Sequence, residues 1–127
     1  MKLTESDLNQ FTGSECFYPH AFGGLYFTEG AKFLADRGGA YWLIDAIASY
    51  QRDPRITGGL RRIQFWTLTV KDGAGVLTCI EDSDLKPAIT QQIAFTDFPL
   101  AEVQVWVERS SVDGVTECMI AMLPGER

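Results

Sequence analysis

Between Thr28 and Gln51 the chain reads TEGAKFLADRGGAYWLIDAIASYQ, with apolar residues at helical spacing on both sides of a double glycine. Thr28 suits an N-cap, and Glu29 then lies at the positive end of the helix dipole. Lys32 and Asp36 are spaced to pair across one helical turn, while Phe33 and Leu34 point inward. Gly38 is expected to end this helix in the left-handed conformation, and Gly39 to open the next. In that second helix Tyr41, Trp42, Leu43, Ile44, Ile47 and Tyr50 cover most of the circumference, which predicts burial on nearly every side. Asp45 is its one carboxylate, carried into whatever the helix packs against.

Upstream, Thr4 and Asp7 have capping-box spacing, Leu8 and Phe11 share a face, and Gly13 closes a short first helix. From Ser14 to Phe27 aromatic residues are punctuated by Pro19, Gly23 and Gly24, which predicts an extended segment tucking its rings under the helices. Beyond Gly59 the period changes to two. Arg62 to Val70 and Val76 to Ile80 read as strands joined by a turn through Lys71 to Gly75. Ile89, Ile93 and Phe95 alternate with Thr90, Gln92 and Thr96 as a third strand. In a fourth, Val103, Val105 and Val107 oppose Glu102, Gln104, Trp106 and Glu108. Asp113-Gly114 turns into a fifth, Val115 to Leu123, apolar on both faces and therefore expected to be covered on both. Helices first and strands after predict an α+β fold, one domain over residues 1–127. Its N-terminal helices would pack on one face of an antiparallel sheet, a meander of about five strands.

Composition narrows the function classes. The 127 residues can enclose one core without disulfides or metal. With 17 acidic and 11 basic side chains the net charge is −6, and nucleic-acid binding, which needs clustered Lys and Arg, is not expected. No apolar run reaches the ~20 residues that span a bilayer. MKLTESDLNQF turns polar at once, so neither membrane association nor a leader is expected, and the cytoplasm is the expected setting. Cys16, Cys79 and Cys118 are widely spaced, and the last two fall in apolar strand patterns where cysteine serves as a small buried hydrophobe.

Four groupings could carry chemistry. Asp45 could be a carboxylate with a raised pKa in a cleft, but the favoured reading makes it an anchor at the core edge, paired with Arg61 or Arg62. Tyr41, Asp45 and Ser49 share one i, i+4 row, so a polar stripe is available there. His20, the single histidine, lies in the loop-like Cys16-Phe17-Tyr18-Pro19-His20. A Cys16–His20 nucleophile pair, or a zinc set adding Cys79 and Cys118, lacks the usual local spacing, so no metal or other cofactor is expected. Thr57-Gly58-Gly59-Leu60-Arg61-Arg62 could hold an anion, yet it leads into a strand rather than the helix of a nucleotide fingerprint. Trp106, on the otherwise polar side of the fourth strand, is a candidate contact for a partner.

Leu8-Asn9-Gln10-Phe11-Thr12-Gly13, the block Gly38 to Gln51, Phe95-Thr96-Asp97-Phe98-Pro99-Leu100 and the closing Met122-Leu123-Pro124 resemble a family of small bacterial, plasmid and phage proteins without assigned activity. The resemblance spans almost the whole chain, and it implies no catalytic residue. Together these features lead to the expectation of a non-enzymatic, acidic protein-interaction factor, a mobile-element accessory or anti-defence protein that blocks its partner sterically. Trp106, Tyr18 and Trp42 are its aromatic anchor candidates. The alternative is a small enzyme or ligand binder with a pocket around Asp45, Arg61, Arg62 and His20. A homodimer through the apolar helix is a third arrangement.

Overall fold

The computed structural model describes residues 3–12, 16–21, 24–57, 63–80, 87–111, 113–115 and 117–126. Helices α1 (Glu5–Asn9), α2 (Glu29–Gly38), α3 (Tyr41–Tyr50) and the single turn α4 (Pro54–Thr57) accompany seven strands. These are β1 (Phe17–Pro19), β2 (Leu25–Thr28), β3 (Ile63–Lys71), β4 (Ala74–Ile80), β5 (Ile89–Ile93), β6 (Glu102–Ser110) and β7 (Cys118–Met122). The α+β class is as expected, but the sheet is larger than the expected five-stranded antiparallel meander. It has seven strands in the order β1-β2-β7-β6-β3-β4-β5, and the β2–β7 pair is parallel.

Two physical reasons account for the difference. The segment before α2 forms a hairpin of very short strands, in which Tyr18 pairs with Phe27 and stacks on it at 5.8 Å. Pro19, which cannot donate to a ladder, is tolerated because β1 is an edge strand. The second reason is that periodicity identifies strands without identifying neighbours. β3, β4 and β5 are joined as successive hairpins, but β6 returns to lie beside β3, the order of a Greek key. The return crosses the end of the β3–β4 hairpin, where Thr96 N–H donates to Gly73 O at 2.7 Å and Val70 N–H to Ala101 O at 2.7 Å. That hairpin turns on Asp72 and Gly73, both at positive φ, the geometry that suits right-twisted strands. Two strand ends are also shorter than expected: Phe95 lies beyond β5 and is 78% exposed, and Val115 lies in the turn before β7, 89% exposed.

One face of the sheet carries the helices. Trp66, Leu68, Leu77, Val105, Val107 and Ala121 project there and are buried with Leu34, Leu43, Ile44 and Ile47 of α2 and α3. β7 is largely buried on both faces, as its sequence implied: Ala121 joins the main core, while Cys118, Ile120 and Met122 on the other side are covered by Tyr26 and Trp106. α3 is less enclosed than expected. Its row Tyr41, Asp45 and Ser49 faces solvent, so the helix is amphipathic, with Leu43, Ile44, Ile47 and Ala48 inward.

The helix ends show how the layer is held. Thr4 and Asp7 form the reciprocal capping box of α1. Thr28 caps α2 by accepting from Ala31 N–H at 3.2 Å. The left-handed stop falls on Gly39 (φ +60), not Gly38. Gly38 is the last helical residue, and its hydrogen is needed for a different reason: a Cβ there would lie 2.7 Å from Phe98 Cε1. A third cap comes from the far end of the chain. The Glu126 carboxylate accepts from Thr28 Oγ1 at 2.6 Å, Gly30 N–H at 3.1 Å and Leu123 N–H at 2.9 Å. A carboxylate at this helix end satisfies an otherwise orphaned donor and complements the dipole.

A double-mutant cycle tests this cap. Glu126→Ala is expected to cost about 2 kcal/mol in urea unfolding, through lost charge-assisted hydrogen bonds. A methyl on Gly30 would sit 2.3 Å from Glu126 Oε1 and must displace that carboxylate. Gly30→Ala should therefore destabilise the native protein yet be neutral, or stabilising by up to ~1 kcal/mol, in the Glu126→Ala background. Additive effects would exclude the contact.

Candidate functional site

The polar residues singled out in the sequence converge at the outer corner of β1, α2 and α3. His20 follows β1 and donates from Nε2 to Asp45 Oδ1 at 2.7 Å. The described partner of Asp45 is thus His20; Arg61 and Arg62, the expected partners, lie outside the described residues. One turn earlier on α3, Tyr41 O–H donates to Asp36 Oδ1, while Lys32 Nζ donates to Asp36 Oδ2 at 2.8 Å. Lys32 also lies 5.5 Å from the centroid of the Tyr18 ring. Tyr18, His20, Lys32, Asp36, Tyr41 and Asp45 therefore form a strap of two contact sets, His20–Asp45 and Tyr18–Lys32–Asp36–Tyr41, that tie the β1 segment to α2 and α3.

The electrostatics of the strap follow from these contacts. The Lys32 ammonium, and after it the Tyr41 hydroxyl, hold the Asp36 carboxyl below its usual range by hydrogen bonding. Asp36 in turn raises the pKa of Lys32 and of Tyr41. The His20–Asp45 pair has the reverse of a catalytic dyad's exposure. In a triad the acid is buried and the imidazole faces the reacting group. Here the His20 side chain is 7% exposed and that of Asp45 is 59% exposed. The arrangement fastens a loop to a helix and leaves little imidazole surface for a substrate.

A second polar network, overlooked in the sequence, pins the other end of α3. Gln64 is fully buried on β3 and exchanges two amide hydrogen bonds with Gln51, at 2.9 and 2.8 Å. Its Oε1 also accepts from Trp66 Nε1 at 2.8 Å. Tyr50 O–H donates to Gln91 Oε1 of β5 at 2.7 Å. The available signal was parity, since Gln64 shares the inward face with Trp66 and Leu68.

The cysteines do not meet. Cys79 points to the helical side of β4, whereas Cys118 lies on the opposite face of β7, so they cannot share a metal ion. Burial pushes the Cys79 thiol up to about 12, which leaves it protonated and inert. Cys16 is exposed.

Two surfaces remain. On the face that no described helix covers, Cys118, Ile120 and Met122 form a smaller, buried apolar cluster flanked by Tyr26 and Trp106. Register places Met122, Trp106, Phe65 and Ile80 side by side across four strands. Trp106 is half-buried, edge-on to Phe65 at 5.0 Å, with its Nε1–H donating to Gln104 at 3.2 Å. Trp42 is instead half-buried against the main core. The second surface is a cavity of about 340 Å³ between α1, the start of β6 and the turn Pro124–Glu126. Neither Asp45 nor His20 lines it.

With the fold and these surfaces in view, the class is that of a small α+β protein with one helical layer and one sheet face that no described helix covers. The chain belongs to the family of unknown function DUF6876, whose model matches residues 2–127. No curated protein and no solved structure matches it. Among the described residues no helix is long and apolar enough to cross a membrane.

Asp36 yields a pH prediction. Its folded pKa is depressed below 3.8, so its stabilising contribution is complete above that value and is lost as the pH falls through the lower folded value. Asp36→Asn should lower the melting temperature by a few degrees at neutral pH, with the gap to the native protein closing in acid. A gap unchanged down to about pH 2 would assign the loss to packing. Thiol labelling provides another check. Of the three cysteines, Cys16 should react in the native protein, and Cys79 and Cys118 only after denaturation. Rapid native labelling of Cys79 would contradict its burial.

Proposed function

We propose that this chain is a non-enzymatic protein-binding module whose working surface is the helix-free sheet face around Trp106. The carrying observation is the row Met122, Trp106, Phe65 and Ile80, buried at Met122 and half-buried at the other three, which crosses four strands on a face that no described helix covers. At strand spacing the row is about 14 Å wide, enough to seat an element of another protein. Tryptophan in a rigid, half-covered setting is a typical hot-spot anchor, and a sheet supplies rigidity without further ordering cost. The mechanism is steric: the face occupies the partner's working surface and does no chemistry. A cytoplasmic accessory or anti-defence role in a mobile element fits a binder of this size and is the setting that the family resemblance implies.

The structure alters which variant tests this reading. Because Trp106 packs on Phe65, Trp106→Ala should cost about 1–3 kcal/mol of stability as well as binding. Thr67→Arg is cleaner. Thr67 is half-buried opposite Gln104, one step along the same face from the Phe65–Trp106 pair, and its side chain points away from the core residues Trp66 and Leu68. Capture from the native host followed by mass spectrometry should return a partner with the native protein and lose it with Thr67→Arg at unchanged circular dichroism. Retention of the same partner by Thr67→Arg and by a folded Trp106→Ala protein would remove the face from consideration.

A further inference from the structure

The cavity beside α1 has a distinct chemistry. Its volume of about 340 Å³ falls within the range of ligand-sized pockets. Its floor is apolar, formed by Leu8, Phe11, Leu100, Val103 and Leu123. Its rim carries Glu5 on α1 and Glu102 on β6, both exposed, and no Lys, Arg or His among the described lining residues.

The α1 wall is unusual. This helix has only five residues, far below the length at which propensity alone sustains a helix, and none of them is buried. It is fixed from outside, by the capping box at its start and by the Phe11 ring against Phe33 at 5.1 Å just beyond its end. Held in this way, it keeps Leu8 half-buried at the wall of the cavity. An occupant that covers Leu8 and Phe11 would gain roughly 25 cal/mol for each Å² of apolar surface removed from water. The two carboxylates at the mouth would favour a cation beside that apolar group and repel an anion.

We propose that this groove takes a segment of a partner protein that presents an apolar side chain next to a lysine or arginine. A segment fits better than an isolated small molecule because the lining is spread over α1, residues 100–104 and the turn after Leu123, so an apolar side chain can enter while its neighbour in the same segment meets the rim carboxylates. The groove stands on its own observations and does not require the open face to be an interface.

The test uses the full chain, labelled with ¹⁵N, and two decapeptides, one alternating leucine and lysine, the other leucine and glutamate. The leucine–lysine peptide should give saturable amide shifts centred on Leu8, Phe11, Leu100 and Gly125. The leucine–glutamate peptide should bind at least about tenfold more weakly. Glu102→Gln should weaken the first peptide about threefold, and Asn9→Lys, an exposed rim position on α1, by a similar factor. Glu117→Gln, at the opposite end of the sheet, should leave it unchanged. Equal affinity for both peptides, or no saturation up to about millimolar peptide, would overturn the proposal. So would equal losses from Glu102→Gln and Glu117→Gln, which would mark general charge attraction. Shifts confined to the Trp106 row would also overturn it while supporting the open face.

Discussion

The carboxylate of Glu126 on the N-terminus of α2 joins parts of the fold that lie 98 residues apart in sequence. It can do so because β2 and β7 are parallel. Parallel neighbours leave the sheet at the same end, so the entry to α2 after Thr28 and the turn after Leu123 emerge side by side. Gly30 supplies the room, since any larger residue would occupy the carboxylate's position. α2 is thereby placed over β1, β2 and β7, and α3 follows through the turn at Gly39. The strap from Tyr18 to Asp45 then closes the outside of the helical layer, and the Gln51–Gln64 pair fastens its other end to β3.

Local features were legible where the deciding physics was local. The capping box at Thr4, the N-cap at Thr28 and the Lys32–Asp36 pair depend on residues three or four apart, and all are present. Strands β3, β4 and β6 announced themselves by alternation, because one face of each is buried. β1 and β2 did not, being too short to show a period and interrupted by Pro19 and by glycines. The strand order was not legible either, since the choice of β3 rather than β5 as the neighbour of β6 is made by long-range packing. The same limit applies to the site. Asp45, His20 and Tyr18 were each identified, but their assembly with Lys32, Asp36 and Tyr41 depends on a hairpin that the pattern did not reveal. Gly38 illustrates a subtler point: its smallness serves Phe98, a residue sixty positions away in another element, rather than the turn.

The molecule divides its polar and apolar resources between two sides. On the helical side, carboxylates, hydroxyls and amides are engaged in holding α2 and α3, and the imidazole that could have done chemistry is covered. On the other side, apolar residues from β3, β4, β6 and β7 share a face that no described helix covers. Among the described residues, His20, Asp36, Asp45 and Gln64 are thus engaged in holding the helical layer to the sheet.

The parallel β2–β7 pairing also bears on the order in which the chain can mature during synthesis. β3 to β6 pair among themselves, and α2 with α3 can associate as soon as both have emerged. The β1–β2 hairpin gains its sheet neighbour only when β7 is made, nearly a whole chain later. Leu25 and Phe27, buried in the finished protein, can meet α2 early but lack their β7 neighbours until then. Of the seven strands of this sheet, the two made earliest are therefore among the last to gain all their neighbours.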